Sequence, residues 1–586
     1  MSWLYKRTTL RNRKRSSPLP LNDRILRTAL GARTAQCRVR ASGRYYPRRY
    51  TVLVLINGVL TPQIRHSSIR ITGSRYTLRF DRGSGIVVTG LASYDPVASG
   101  NRYFNALESA VLGPATDTTL SVTGGINKGS QTCVLSGGAP DVGSWYFLHD
   151  VGRKEQDADS VNFREVGGEL VKVTGWNGAN NTATLGAQVT QAYANAATVF
   201  LSKLPAGATV SEEVTLEGGQ IIGSLEQGFG AFIALNYVSS CLIKNVFGKG
   251  SGTTGISLGF SRSSTVDHCR FLSLPKRNNN DPWGYSIQID RTVTSVVRNS
   301  TADSAQYVLT IEGGSASISA VNISAYRCDS SFDIHGGDAI DITVDRCVGP
   351  VKLTLGNTTW RRGASFVTIN DSIFTQLRIT GPIRDLTLNR CYGEQAKFEY
   401  TKADPYSLTL SNPVRTTFSA CRFTLPVGNA ENYVISLPAA AVPTPNYKVE
   451  DMKIIGCELV NEKLDPVTGK RPPIYVLTIN TLQSSKVIFE NCPIVKAFPD
   501  TSTSLIAILN DAQLPVPVSL VVDVKGSTFV LTSGKTVASG TAATLTTELL
   551  NRLVGGTPSN RRCESLSGPF TNLSGADVFN LKFTTV

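Results

Sequence analysis

Small residues recur at limited intervals through the second half of the chain, each three positions after an apolar residue. Seven of them are cysteines, in segments such as VDHC, VDRC, LNRC and FENC: Cys269, Cys328, Cys347, Cys391, Cys421, Cys457 and Cys492. Val246, Ser300, Ser372 and Ser527 extend the pattern to eleven anchors separated by 19 to 36 residues. A recurrence of this length indicates a solenoid, in which each repeat buries its apolar face on the next.

The repeats consist of short strands. Segments such as YSIQID, YVLTIE, DITVD, LRIT and YVLTIN alternate apolar with polar residues, which is typical of half-buried strands. Gly, Asn, Asp and Ser separate these segments, and helical periodicity is nearly absent. The sequence therefore predicts an all-β, right-handed parallel β-helix solenoid of the pectin-lyase-like type, preceded by small β-rich domains.

The cysteine anchors also predict how the repeats pack. An inward-facing thiol on one repeat would stack on the next at about 4.8 Å, the spacing of paired strands, and a buried cysteine behaves as a small apolar residue. Disulfides or metal ligation are the alternatives. Because Ser and Val occupy equivalent positions and no Cys/His spacing suits zinc, we favour packing and expect neither a metal nor a cofactor.

The composition excludes several other classes of protein. With 41% hydrophobic and 18% charged residues, the chain is neither disordered nor a coiled coil, and it can bury a large core. No run approaches 18 apolar residues, and the N-terminal segment lacks the apolar stretch of a secretion signal. We therefore expect a soluble protein with no membrane segment.

Almost all of the net charge lies at the N-terminus. Residues 1–50 contain 14 Lys or Arg and one acid, which leaves +2 of the total +15 for the rest of the chain. Aromatic residues among the arginines could bind nucleic acid, whereas arginines also make bidentate contacts with the carboxylates of an acidic protein. We favour docking of this basic arm on a protein. The residues that we expect to make the docking contacts are Arg11, Arg13, Lys14, Arg15, Arg48 and Arg49.

Two segments after the basic arm are typical of β-hairpins. Asn57-Gly58 separates two apolar runs in YTVLVLINGVLTPQ, and Arg82 to Gly85 interrupts YTLRFDRGSGIVVTG. The order of these segments resembles the small β module at the N-terminus of tail fibres and tailspikes of short-tailed bacteriophages. The resemblance covers about 40 residues, and the β-helix that follows is similar in architecture to tailspikes. The GAxGDGxxDDTxAI motif that often opens a tailspike β-helix has no match in this chain.

These observations divide the chain into five parts. We expect a basic arm over 1–49 that docks on the virion, a β-hairpin anchoring module over 50–105, a β-rich connecting domain over 106–212, the parallel β-helix over 213–530, and a C-terminal cap or tail over 531–586. The resemblance further implies a homotrimer, docking on tail adaptor or nozzle proteins, and a location in the virion tail after synthesis in the host cytoplasm.

Alternation along three strands predicts a cluster of carboxylates. If Ile287, Ile289 and their equivalents point inward, one outer column contains Gln288, Thr310 and Asp333, and the next contains Asp290, Glu312 and His335. Glycoside hydrolysis requires two carboxyl groups about 5 to 9.5 Å apart, which neighbouring repeats can supply. We therefore assign a candidate catalytic cluster and its flanking substrate-binding residues: Asp290, Glu312 and Asp333, with Gln288, His335, Trp283 and Tyr285.

A structural interpretation of the same cluster is also open. Soluble sheets commonly display Asp and Glu, and Arg291 could pair with the carboxylates. Two functions therefore stand. The first, which we favour, is a phage appendage that recognises a host surface polysaccharide. The second is the same appendage acting as a depolymerase, either an endoglycosidase or a polysaccharide lyase.

Overall fold

The computed structural model describes two compact units, Met1–Lys154 with Arg164–Phe332, and Glu155–Phe163 with Asp333–Val586. The described residues are 119–150, 168–193, 197–204, 210–222, 231–250, 254–274, 284–334, 339–349, 364–379, 383–398, 414–426, 433–437, 451–461 and 485–497, together with the backbone of the remaining strands given below. All of the regular structure in these residues is β-strand.

The strands before residue 205 form the start of a parallel array, a separate barrel and a two-stranded sheet of β9 and β10. The first five are β1 (Leu55–Ile56), β2 (Gln63–Ile64), β3 (Arg70–Thr72), β4 (Thr77–Phe80) and β5 (Ile86–Thr89). The next eight are β6 (Thr119–Thr123), β7 (Thr132–Ser136), β8 (Trp145–Asp150), β9 (Glu155–Gln156), β10 (Phe163–Arg164), β11 (Gly168–Asn177), β12 (Thr182–Leu185) and β13 (Val199–Lys203).

Sixteen strands complete the first unit. They are β14 (Ser211–Glu212), β15 (Thr215–Glu217), β16 (Gln220–Ile222), β17 (Ala231–Ser239), β18 (Leu242–Lys244), β19 (Phe247–Lys249), β20 (Thr254–Arg262), β21 (Thr265–Asp267), β22 (Arg270–Leu272), β23 (Tyr285–Asp290), β24 (Val296–Arg298), β25 (Thr301–Asp303), β26 (Tyr307–Ile311), β27 (Ala316–Val321), β28 (Ser324–Tyr326) and β29 (Ser330–Ile334).

The second unit contains β9 and the remaining strands. They are β30 (Ile340–Asp345), β31 (Lys352–Leu355), β32 (Ala364–Asn370), β33 (Gln376–Ile379), β34 (Ile383–Asn389), β35 (Tyr392–Gly393), β36 (Gln395–Phe398), β37 (Val414–Ser419), β38 (Arg422–Leu425), β39 (Tyr433–Leu437), β40 (Met452–Ile455), β41 (Glu458–Asn461), β42 (Tyr475–Ile479), β43 (Ser485–Glu490), β44 (Ile494–Ala497), β45 (Ser504–Ile508), β46 (Leu520–Lys525), β47 (Thr528–Val530), β48 (Thr536–Ser539) and β49 (Lys582–Phe583).

Each unit is built from three parallel sheets. In the first unit the strand orders are β1-β4-β16-β19-β22-β25-β28, then β2-β5-β17-β20-β23-β26-β29, and β3-β15-β18-β21-β24-β27. In the second unit they are β31-β33-β36-β39-β42-β45-β48, then β30-β32-β34-β37-β40-β43-β46, and β35-β38-β41-β44-β47-β49. Successive strands such as β17, β18 and β19 enter three different sheets, so the chain forms a parallel β-helix, as the repeats predicted.

The core of the first unit is a set of in-register apolar columns. Ile233, Ile256, Ile287 and Leu309 are neighbours on successive strands of one sheet, and all four are buried. Each repeat therefore covers the apolar face of the one before it. This contact between equivalent side chains stabilises a solenoid whose single repeats bury too little surface to fold alone.

A single left-handed residue turns the chain between sheets. Asn245 (φ 55°) separates β18 from β19, and His268 (φ 52°), Asn299 (φ 54°) and Asn322 (φ 55°) occupy the same position in later repeats. Asn tolerates positive φ better than most residues because its short side chain bonds locally. The residue after each of these is a buried anchor.

One anchor predicted from the sequence is displaced. The residue that follows Asn322 is Ile323, which is buried and takes the position expected for Cys328. Cys328 instead follows Arg327 (φ 50°) at the end of β28, a different corner of the β-helix. Both corners consist of a short strand, one left-handed residue and a small buried residue. Because the local motif is the same, its spacing in the sequence does not distinguish the two corners, and the assignment of Cys328 was wrong.

The cysteines pack as the repeat predicted. None of the nine described cysteines forms a disulfide, and all nine are buried. In Cys269, Cys421 and Cys457 the thiol donates a weak hydrogen bond to the carbonyl two residues earlier, at 3.4 to 3.5 Å. The hydroxyl of Ser300 makes the same contact with Arg298 at 2.9 Å, which explains why Ser replaces Cys at this corner.

The N-terminal strands do not pair as the two expected hairpins. Strand β1 pairs with β4 in parallel, β2 pairs with β5 in parallel, and β4 and β5 continue to β16 and β17. The Asn-Gly signal is local, whereas these strands obtain partners from the β-helix sheets. Parallel pairing thus begins with β1 to β5. In sequence, the strands of the barrel lie between these early repeats and the later repeats of the β-helix.

The segment between these repeats forms a closed antiparallel barrel with strand order β6-β7-β12-β11-β8-β13. Its strands include the segments LSVTGG, QTCVLSGG and SWYFLHD that the sequence marked as a separate β-rich region. Leu148, Val173 and Leu201 belong to its buried interior. Phe147 and His149 alternate with the inward residues of β8 and therefore point outward, yet both are buried. No helix among the described residues is long and apolar enough to cross a membrane.

Candidate functional site

The predicted carboxylate cluster lies on adjacent strands of the first unit. Ser257 of β20, Gln288 of β23 and Thr310 of β26 are paired in register, beside the apolar column of Leu258 and Ile289. Asp290 follows Ile289 directly, and Glu312 follows Ile311, the residue paired with Ile289. The alternation therefore places Gln288, Asp290 and Glu312 on the face that points away from the lumen.

This outer face is largely shielded from solvent. Gln288 and Asp290 are each 7% exposed, Thr310 is fully buried, and Glu312 is half-buried. Burying polar and charged groups costs free energy unless they have partners. The buried amide and carboxylate groups of this face must therefore have hydrogen-bond or ion-pair partners within the protein.

The amide of Gln288 links two neighbouring strands. Its Nε2 donates to Glu312 Oε1 at 3.3 Å, and its Oε1 accepts from Thr254 Oγ1 at 3.3 Å. These contacts join β20, β23 and the residue after β26. They fix the side chains of Gln288 and Glu312 against each other along the outer face.

Asp290 is held by an arginine that the sequence named as its possible partner. Arg291 Nη1 donates to Asp290 Oδ2 at 3.0 Å, and both side chains are about 90% buried. The guanidinium also lies 5.3 Å from the ring centre of Phe260, a cation–π contact. Phe260 in turn stacks on Tyr237 with ring centres 4.9 Å apart.

This stack arises from the backbone. Tyr237, Phe260 and Arg291 all have positive φ, at 54°, 45° and 43°. The residues immediately before them, Asn236, Gly259 and Asp290, are paired in register. Three bulky residues in this conformation are costly individually, so their stacking along the β-helix axis is a specific structural feature.

A tyrosine pair lies at the other end of the same strands. Tyr285 and Tyr307 are paired in register, and their rings stack with centres 5.2 Å apart and planes 22° apart. Tyr285 was assigned from the sequence, whereas Tyr307 was missed. The signal was present, because YSIQID and YVLTIE both begin with tyrosine.

The other assigned residues are not part of this cluster as described. Asp333 is buried in β29, the strand beside β26 within which the boundary between the two units falls. His335 and Trp283 lie outside the described residues, as do the basic-arm residues and the predicted C-terminal cap over 531–586 apart from the strands β48 and β49. Within the described residues, no three His, Cys, Asp or Glu side chains are grouped so that they could hold a metal ion.

Two buried hydroxyls flank Gln288 without a hydrogen-bond partner. They are Ser257 Oγ and Thr310 Oγ1, both fully buried. Together with Gln288 and Glu312 they make the outer face rich in hydrogen-bonding groups. Of the groups on these strands, Glu312 and Tyr307 are only half-buried, and a carboxylate and an aromatic ring are among the groups that bind polyhydroxylated ligands.

No protein-family model matches the sequence, and no curated protein matches it. Several solved structures are similar in fold, and phage tailspikes are among them. The tailspike of Pseudomonas phage LKA1 is 13% identical with a TM-score of 0.42, over 84% of this chain and 74% of that one. The tailspike of Pseudomonas phage phi297 is 12% identical with a TM-score of 0.46, over 84% and 73%.

A third similar structure is the tailspike of Acinetobacter baumannii bacteriophage AP22, solved in complex with A. baumannii capsular saccharide. It is 10% identical with a TM-score of 0.42, over 84% of this chain and 71% of that one. All three are tailspikes.

Proposed function

We propose that this protein is a bacteriophage tailspike that recognises a host surface polysaccharide through the outer face of its β-helix. The observation that carries the proposal is the in-register face on β23 and β26, where the Tyr285–Tyr307 stack and the Gln288–Glu312 contact lie on one rigid sheet. Aromatic rings offer flat apolar surface to sugars, and amides and carboxylates bind their hydroxyls. The sequence resemblance of the N-terminal segment supports the same class.

Tyr307 and Glu312 are the accessible groups at the two ends of β26. The tyrosine end belongs to the outer face because Thr254, the residue paired with Tyr285, donates to the outward-facing Gln288. Tyr307 and Glu312 are both half-buried, whereas Tyr285, Gln288 and Asp290 are buried beneath or beside them. They stand at opposite ends of β26, about 16 Å apart at the rise of a strand. A ligand that contacts both is therefore an extended chain of several sugar rings.

Binding of purified protein to capsule, O-antigen and exopolysaccharide preparations from susceptible hosts tests the proposal. We expect Tyr307→Ala to weaken binding at least about tenfold, since one lost anchor contact exceeds about 1.4 kcal/mol. Tyr326→Ala is the matched control, because Tyr326 is 59% exposed on another sheet of the same unit. Equal binding by the wild type and Tyr307→Ala would remove this face from the proposal.

The same face supports depolymerase activity as a second candidate function. Asp290 and Glu312 follow paired residues on neighbouring strands, and a strand spacing of about 4.8 Å is close to the carboxyl separation of retaining glycosidases. In this mechanism Glu312, which is half-buried, donates the proton, and Asp290, which is ion-paired with Arg291, is the nucleophile. Asp333 stays a candidate for the same chemistry from the sequence.

Reducing ends and polysaccharide length separate the two functions. Shortened oligosaccharides from the wild type, lost in Glu312→Gln and Asp290→Asn, would establish cleavage at this face. Cleavage retained by both variants would exclude them as catalytic residues. Binding without shortening would leave a receptor-binding spike.

We further propose that the N-terminal arm attaches the spike to the virion. Arg11, Arg13, Lys14, Arg15, Arg48 and Arg49 would contact carboxylates on a tail adaptor or nozzle protein. Deletion of residues 1–45 should leave a folded protein that no longer joins particles. Wild-type incorporation of this deletion would contradict the docking role.

Self-association and location complete the proposed function. From the resemblance we expect a homotrimer, synthesised in the host cytoplasm and carried in the tail of the virion. Mass measurement of the purified full chain tests the trimer, and a monomeric mass would contradict it. Labelling of particles with antibodies against this chain tests the location in the tail.

A further inference from the structure

The hairpin between β11 and β12 of the barrel contains an asparagine followed by a glycine. Asn177 pairs with Thr182 in register, so residues 178–181 form the turn. Asn177 and Gly178 are both exposed, and theirs is the only Asn-Gly pair in the part of the chain that the structure describes. The turn therefore presents to water a side-chain amide next to a backbone N–H that carries no neighbouring Cβ.

The side-chain amide of Asn177 is held over the peptide that follows it. Its Oδ1 accepts a hydrogen bond from the backbone N–H of Ala179 at 3.0 Å, the contact that defines an Asx turn. The ring closed by this hydrogen bond includes Cγ of Asn177 and the backbone nitrogen of Gly178. The contact thus keeps these two atoms close to each other.

The barrel fixes the turn on both sides. Trp176, the residue before Asn177, packs against the barrel interior. At the other side, the carbonyl of Asn181 accepts from the backbone N–H of Leu135 at 2.9 Å. Two groups that are held in place within one molecule react faster than two groups that must first find each other. The turn is therefore ordered in a way that favours an intramolecular reaction.

From these features we propose that Asn177 is a site of spontaneous deamidation, promoted by its own turn. The backbone nitrogen of Gly178 attacks Cγ of Asn177, its proton passes through water to the amide nitrogen, and ammonia leaves. The product of this step is a five-membered succinimide. One water molecule then opens the ring, at Cγ to give aspartate or at the main-chain carbonyl to give isoaspartate.

Two features of the turn promote the first step. As the nitrogen of Gly178 adds to Cγ, negative charge develops on Oδ1 of Asn177, and the N–H of Ala179 already donates to that oxygen. A positioned donor at the oxygen that gains charge lowers the barrier, as in an oxyanion hole. The absence of a side chain on Gly178 leaves its nitrogen open to the approach of Cγ.

Other asparagines of the same unit or fold lack this combination. Asn180 and Asn181 are also exposed, but each is followed by a residue with a side chain. Asn370 lies at the end of β32, where its amide donates to Asp345 Oδ1 at 2.6 Å. We therefore expect Asn177 to react first, and these three residues are internal controls.

Peptide mass spectrometry of the purified full chain, stored at mildly alkaline pH, tests the proposal. The peptide that contains Asn177 should gain the mass difference between an amide and a carboxylic acid. An isoaspartate-specific methyltransferase should label part of this product. The peptide that contains Asn370 should keep its mass. An unchanged Asn177 peptide, or faster change at Asn370, would overturn the proposal.

Gly178→Ala isolates the attacking nitrogen. A Cβ at this position would lie 3.5 Å from Trp176 Nε1, an ordinary contact distance, so the variant should fold. We expect its deamidation to be at least about fivefold slower, because the methyl group hinders the approach of Cγ to the nitrogen. Ala179→Ser is the matched control, since it keeps both Gly178 and the N–H donor. Equal rates in wild type and Gly178→Ala would contradict attack by this nitrogen.

Unfolding tests the contribution of the turn. In urea the same sequence loses the contact between Ala179 and Asn177, so deamidation should be slower in the unfolded chain than in the folded protein. Faster deamidation in the unfolded chain would overturn the role of the turn. The reaction requires no polysaccharide, so its outcome is independent of the proposed function.

Discussion

The guanidinium of Arg262 donates from Nη1 to Glu169 Oε2 at 2.8 Å, so the last residue of β20 in the β-helix is ion-paired with β11 of the barrel. Both side chains are almost completely buried. Arg262 also donates to the carbonyls of Leu170 and Gln188 at 2.9 and 2.5 Å. The arginine thus binds three acceptors of the barrel from a position on the β-helix.

Glu169 is equally well satisfied on its own side. Its Oε1 accepts from the backbone N–H of Thr190 at 2.9 Å and from the hydroxyl of Tyr193 at 3.1 Å. Phe147 of β8 packs edge-on against Phe260 of β20, with ring centres 5.4 Å apart. The barrel is therefore joined to the β-helix by specific buried contacts, and Phe260 connects this joint to the Arg291 stack beside the candidate site.

Breaking this ion pair should strongly destabilise the protein. Glu169→Gln leaves the buried guanidinium of Arg262 without its anion, and Arg262→Met leaves the buried carboxylate of Glu169 without its cation. For each variant we expect a loss of about 3 to 5 kcal/mol in the free energy of unfolding. Urea denaturation followed by fluorescence measures it. Lys172→Met is the control, because its ion pair with Glu212 is about one-third exposed and should contribute less than about 1 kcal/mol. Losses in Glu169→Gln and Arg262→Met no larger than the loss in Lys172→Met would contradict the importance of the joint.

The stability of the first unit should fall in weak acid because of His149. Its Nε2 contacts Ser202 Oγ at 2.8 Å and its Nδ1 has no hydrogen-bond partner. Burial lowers the pKa of His149 to about 4, against a smaller opposing effect of Asp150. The unfolded chain binds a proton near the ordinary pKa of 6.5 and the folded chain does not, so stability is complete above pH 6.5 and declines towards pH 4.

The expected loss is about 3 kcal/mol between these pH values. It is measured as the change in urea midpoint with pH. His149→Gln retains a group that can bond to Ser202 and does not titrate, so its stability should depend less on pH over the same interval. An equal pH dependence in wild type and His149→Gln would show that other groups cause it.

Alternation along single strands predicted much of the fold and of the candidate site. It placed Ile287 and Ile289 inside and Gln288 and Asp290 outside, because side chains of a strand point alternately to its two faces. Alternation identifies a face and says nothing of what covers it. Gln288 contacts Thr254 and Glu312, which are 34 and 24 positions away in sequence, and for that reason these contacts were not predictable from β23 itself.

The wrong predictions have one physical cause, because each was based on a local sequence signal. Asn57-Gly58 is a strong turn signal, yet the neighbouring strands pair with β-helix sheets because parallel partners come from distant segments. Cys328 follows the same short motif as the other anchors at a different corner. The joint between Arg262 and Glu169 links residues 93 positions apart, which no periodicity reveals.

Cys133, Cys241 and Cys269 should resist alkylation in the native protein. Burial raises the pKa of Cys133 and Cys269 to about 12 and that of Cys241 to about 11. The thiolate is the reactive form, so these side chains are both protonated at pH 8 and inaccessible. Iodoacetamide labelling followed by peptide mass spectrometry should modify them only after denaturation. Rapid native labelling of Cys269 would contradict its position in the core.

The buried hydroxyl of Ser300 should contribute measurably to stability through a contact between repeats. Its Oγ accepts from the backbone N–H of Cys269 at 3.3 Å and donates to the carbonyl of Arg298 at 2.9 Å. Ser300→Ala removes the acceptor, and a buried N–H without one costs about 1 to 3 kcal/mol. Ser300→Cys should recover most of this loss, because the thiol of Cys457 accepts from the N–H of Cys421 in the same way at 3.4 Å.

Urea denaturation of the two Ser300 variants measures this contribution. Ser263→Ala is the control, since its hydroxyl contacts only Thr294 at an exposed corner and its loss should change stability by less than about 0.5 kcal/mol. If Ser300→Cys were as unstable as Ser300→Ala, hydrogen bonding to the neighbouring repeat would not be the reason that Cys and Ser alternate at this position. Recovery by cysteine would show that the anchor is selected for its acceptor and its size together.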